Sequence, residues 1–128
     1  MSDTEKITIN LGVVDLGKID LLVEQGFFTN RTDFIRAAIR NYLDKHDTEL
    51  QETITRNNFA VGIMVFTSNG LKKRLDKGEM LDILVVGMLV LSEDITPELA
   101  RSTINSIKVL GIFEAPKEVK EAIADRIR

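Results

Sequence analysis

The stretch GFFTNRTDFIRAAIRNYL, Gly26 to Leu43, carries a helix stop, a turn and a helix start in succession. Gly26 suits the left-handed conformation in which helices end, Asn30 is a favoured N-cap residue, and Asp33 stands three positions later, where a capping box has Glu. From that cap Phe34, Ile35, Ala38, Ile39, Tyr42 and Leu43 recur at helical spacing and form one broad apolar stripe. Leu50 and Ile54 extend the stripe through a charged stretch without Gly or Pro, so the helix is expected either to end near His46 or to run to about Arg56.

Working back from Gly26, the residues Leu16, Ile19, Leu22 and Val23 recur at helical spacing within Val13 to Gln25. Before them, Ile7, Ile9 and Leu11 alternate with Lys6, Thr8 and Asn10, which predicts a strand over Glu5 to Leu11 with one apolar and one polar face. A lone strand does not survive in water. With two helices following it, the economical partner is the same segment of another chain.

Forward of the helix the periodicity changes. AVGIMVF around Gly62, VVGMLVL around Gly87 and VLGIFEA around Gly111 form a repeat with spacings of 25 and 24 residues. Each run is followed by a helical pattern: NGLKKRL from Asn69, TPELARSTI with Pro97 at the first helical position, and APKEVKEAI with Pro116 in the same role. Apolar on both faces and joined through helices, the runs read as three short parallel strands in β/α units stacked like a solenoid; the alternative is a compact α/β domain. Met64, Met80, Met88, Phe66 and Phe113 are expected in its core. The outer strands look blunted by Asn57 and Asn58 on one side and by Lys108, Glu114 and Pro116 on the other. The fold class is therefore α+β, with domains at 1–46 and 58–128 and a helical extension or linker at 47–57.

Composition limits the chemistry. The chain has 128 residues, 29% charged and 44% hydrophobic, with a net charge of −3, so overall basicity gives no argument for nucleic acid. With no cysteine and one histidine, His46, disulfides, thiolate nucleophiles and Cys- or His-rich metal sites are excluded, and no cofactor is expected. Glycine-rich phosphate loops and nucleophile–histidine pairs are also absent, which argues against an enzyme. The longest apolar run, Ile83 to Leu91, is far below a membrane span, so a cytoplasmic protein with no membrane partner is expected.

The strand KITINL, the helix positions Leu16, Ile19, Leu22 and Val23, and the segment GFFTNRTDFIRAAIRNYL together resemble the ribbon-helix-helix superfamily of Arc, MetJ and CopG-type DNA-binding proteins. The resemblance covers about a third of the chain. It implies an intertwined homodimer whose two strands form an antiparallel ribbon in the DNA major groove, with Lys6, Thr8 and Asn10 aimed at base edges. It also places a phosphate at the start of the second helix, against the amides of Arg31, Thr32 and Asp33 and the cap residues Thr29 and Asn30. A solvated ribbon face and simple helix capping explain the same residues without DNA. Arg36 and Arg40 are expected in ion pairs with Asp33 and Asp44 on their own helix, and His46 on the surface.

The resulting expectation is a sequence-specific transcriptional repressor on palindromic or repeated double-stranded DNA sites. Its net acidity implies modest affinity per dimer and higher oligomers on DNA through the C-terminal domain. An antitoxin with a protein partner on that domain, or a self-assembling module that does not bind DNA, are the alternatives.

Overall fold

The computed structural model describes residues 3–128. They fall into two compact units, one spanning Lys6–Arg56 and the other comprising Asn57–Arg128 together with Asp3–Glu5. Met1 and Ser2, which open the expected 1–46 domain, lie outside the described residues.

The first unit is helical. Helix α1, Val13–Glu24, ends in a Schellman motif: Gly26 has φ +87°, its N–H donates to Val23 O, and the Phe27 N–H donates to Leu22 O. Helix α2, Arg31–Lys45, stops one residue short of α3, Asp47–Asn57. The expected continuous helix is thus divided at His46, whose φ of −101° and ψ of 14° leave the helical region while the Leu50 N–H still donates to its carbonyl. No Gly or Pro marks the break. Residues Glu5–Leu11, expected as a strand, make no ladder within the chain. Ladder bonds need a second strand, and the three strands among the described residues pair with one another in the other unit.

That unit is a three-stranded parallel sheet in the order β1-β2-β3, with β1 Ala60–Phe66, β2 Leu81–Leu91 and β3 Ile104–Glu114. The glycines of the repeat are in register, Gly62 beside Gly87 and Gly87 beside Gly111. Crossover helices α4, Ser68–Asp76, and α5, Pro97–Thr103, alternate with the strands, and α6, Lys117–Ala122, follows β3. Leu71 of α4, Leu99 and Ala100 of α5 and Val119 of α6 all join one core with Ile83, Val85, Leu89 and Leu91 of β2. The three helices therefore lie on the same face of the sheet, as successive right-handed crossovers in sequence order require.

Local chemistry fixes the ends of these elements. Thr67 Oγ1 accepts from the Gly70 N–H and Thr96 Oγ1 from the Leu99 N–H, with Pro97 opening α5. Pro116, expected at the first helical position, instead caps α6. Asp82 holds a bulge where β3 has an extra residue, accepting from Asn105 Nδ2 at 2.8 Å and Ser106 Oγ at 2.6 Å. Those bonds, Ser106's first, keep its carboxyl below the usual carboxylate range. The outer edge of β3 meets the C-terminus, Ile127 bridging Ile107 and the Arg128 N–H donating to Ile107 O at 2.7 Å. Met64, Phe66 and Phe113 pack against the core and Met88 is buried, but Met80, on the turn before β2, is half exposed.

Candidate nucleic-acid interface

The start of α2 is the most organised surface of the first unit. Asn30 Oδ1 accepts from the Asp33 N–H at 2.8 Å, and Asp33 Oδ2 accepts in return from the Thr29 N–H at 2.9 Å, one residue before the cap. Phe28 packs edge-on against Phe34 with ring centroids 5.0 Å apart, fixing the entry of the chain as a hydrophobic staple does. Asn30→Ala is expected to cost about 1 kcal/mol of stability in chemical denaturation, the usual worth of a side-chain cap.

This cap revises the expected anion site. The Asp33 amide is engaged by Asn30, so among the described residues only Arg31 and Thr32 in the first turn retain N–H groups without a partner. The Arg31 side chain is turned to α1, where Nε and Nη2 donate to the two carboxylate oxygens of Asp20 at 2.7 and 2.8 Å. These hydrogen bonds hold the Asp20 carboxyl below its ordinary value. A depressed acid pKa contributes stability that is present above the unfolded value near 4 and lost as pH falls through the folded one. Acid titration of the helical circular dichroism should accordingly show a loss below about pH 4 that Asp20→Asn lacks.

Arg36 and Arg40 behave differently from expectation. Neither is in an ion pair among the described residues; both line an open depression of about 380 Å³ with Thr29, Asn30, Thr32, Ala37 and the acidic Asp33. Arg36 and Arg40, one helical turn apart, thus follow the first turn of α2 along the depression that Thr32 also lines. Asp33, in reach of Arg36 on the same helix, instead spends its carboxylate on the cap.

The other predicted residues sit on the N-terminal segment. Lys6, Thr8 and Asn10 are exposed, and so are Ile7, Ile9 and Leu11 at 74, 60 and 41%. One chain buries neither face of the expected strand. A second depression, mostly apolar, lies between α1 and α2 and is lined by Ile19, Leu22 and Phe34 with Asp15 and Lys18 at its edge. No cluster of three metal-ligating side chains occurs among the described residues, and no helix there is long and apolar enough to cross a membrane.

Residues 2–120 match the ribbon-helix-helix transcriptional regulator family. The chain belongs to it. The match takes in the C-terminal sheet as well as the helices, so the glycine-centred repeat also falls within the family's extent. Over 42 residues, a third of this chain and 76% of the relative, it is 33% identical to the transcriptional regulator CdrS of Halobacterium salinarum. No solved structure matches it. Ribbon-helix-helix regulators are DNA-binding proteins that usually act as dimers, and the family is one of regulators rather than enzymes.

Proposed function

We propose that this ribbon-helix-helix protein is a cytoplasmic repressor that binds DNA as an intertwined dimer, laying a two-stranded ribbon of Lys6–Leu11 segments in the major groove. The observation that carries the reading is the unfinished core of the first unit. Ile19 is the one buried apolar side chain of Lys6–Arg56 among the described residues, whereas Ile9, Val14, Leu21, Ile39 and Leu43 are 50 to 66% exposed. So short a helical unit is stable only when a second surface covers these residues, and two-fold pairing with a copy of itself supplies it.

In that dimer Lys6, Thr8 and Asn10 read base edges. Lysine donates to guanine O6 and N7, asparagine pairs with adenine, and threonine donates, accepts or touches a thymine methyl. At each end a backbone phosphate sits on the Arg31 and Thr32 amides beside Thr29 and Asn30, with Arg36 and Arg40 adding cationic groups along the same helix. The C-terminal unit holds dimers side by side, which raises occupancy on repeated sites.

Selection of bound duplexes from random DNA tests the proposal. Enrichment of a two-fold-symmetric or regularly repeated motif is expected; recovery of unenriched sequence from a folded dimer refutes it.

A further inference from the structure

The helices of the C-terminal unit cover one face of its sheet. Ile83, Val85, Leu89 and Leu91 of β2 point to the helices, so Leu84, Val86, Met88 and Val90 between them face the other way, Met88 and Val90 buried between the flanking strands and Leu84 and Val86 partly exposed. On that same outer face β1 carries Val61, Ile63 and Val65, all more than half exposed, and β3 carries Leu110, 52% exposed. Parallel sheets are ordinarily buried on both faces, and contiguous apolar patches on soluble proteins ordinarily mark an interface.

We propose that this face packs against the same face of a second copy of the chain. The proposal deepens the clustering role given above to the C-terminal unit and is independent of how the N-terminal unit meets DNA. The placement of charge selects both the occupant and its orientation. On β3 the apolar stretch of the outer face is bracketed by Lys108 and Glu114, each three residues from Gly111, with Ser106, bonded to Asp82 of β2, beyond Lys108. Lys108 Nζ stands 5.9 Å above the Phe59 ring, which marks the border of the patch at that end.

A two-fold axis between the sheets, crossing the strands at the level of the glycine row, reverses strand direction and keeps β3 opposite β3. Lys108 of each copy then faces Glu114 of the other, and Leu110 faces Ile112. On β2 Leu84 faces Val90, and beside β1 Phe59 faces Val65, so each of these pairings is either apolar on apolar or cation on anion. An unrelated apolar partner leaves both charges unmatched; a second copy matches each of them twice. Such an isologous contact closes on itself, as soluble oligomers do.

The absence of cysteine gives a clean test in the full-length protein without DNA. The double variant Lys108→Cys/Glu114→Cys is treated with a bismaleimide whose reach matches the roughly 10 Å spacing of face-packed sheets. Within one chain the two thiols are about 20 Å apart along the strand, beyond the reagent. Covalent dimer is expected from the double variant and not from either single variant, whose thiols lie at opposite ends of the pair. Adding Ile63→Asp, at a position a single chain leaves exposed, is expected to abolish the cross-link. No cross-link in the double variant, equal cross-linking by a single variant, or a yield indifferent to Ile63→Asp each overturns the proposal. Because DNA is absent, such a failure leaves the DNA-binding reading standing, and failure to enrich a DNA motif leaves this one standing.

Discussion

Lys6→Ala and Asn10→Ala are each expected to weaken specific DNA binding by about 1–3 kcal/mol, roughly one to two decades in affinity, while the protein keeps its dimeric mass and helical content. Both side chains are exposed in the folded chain, so truncation removes no packing. In a two-fold complex each substitution deletes two contacts at once. The two variants should differ in how they fail. Loss of the lysine also removes a cation that neutralises phosphate charge nearby, so it lowers the salt dependence of binding, whereas loss of the asparagine relaxes preference at one base and leaves the salt slope in place. Titrations of matched and mismatched duplexes at two salt concentrations separate these outcomes. Equal losses on specific and random DNA for Asn10→Ala sink its assignment to a base edge.

Much of this surface is legible from residue order because its devices are local. A glycine with positive φ, an Asn cap and an apolar stripe are set by neighbours within one or two turns, and each of them appears where the spacing places it. The register of the three glycines is equally visible, since a repeat of strand, helix and turn brings equivalent residues side by side. What escapes the sequence depends on competition. Whether Asp33 pairs with an arginine on its own helix or with the Thr29 amide is decided by the geometry of the turn, and the amide takes it. Likewise Arg31 turns to Asp20, eleven positions away, which no helical spacing announces. The break at His46 is invisible for the same reason: it is made by φ and ψ values that most residues can adopt. Met80 looks like core by type, yet it falls on the turn before β2 and is half exposed.

The glycine row yields the largest expected effect on stability, because substitutions at its three members share one cost and differ in another. Gly62, Gly87 and Gly111 have φ of +129°, +134° and +128°, a region that L side chains rarely enter, and alanine at any of them stores about 1–3 kcal/mol of backbone strain. At Gly62, on the edge strand, an added Cβ meets nothing within 4 Å. At Gly87 it falls 2.2 Å from the Gly62 carbonyl oxygen, and at Gly111 it falls 2.0 Å from that of Gly87. Those neighbours are backbone held in the ladder, so relief requires parting two strands rather than rotating a side chain. Gly62→Ala is therefore expected to lose only the strain. Gly87→Ala and Gly111→Ala should lose about 4 kcal/mol or more, the range reserved for substitutions that break a structural element. Chemical denaturation, with amide exchange to localise the loss to residues 60–114, measures the order. If Gly62→Ala costs as much as Gly87→Ala, the close approach of strands contributes nothing and φ alone governs. If the helices of the first unit lose protection as fully as the sheet, the two units do not unfold independently.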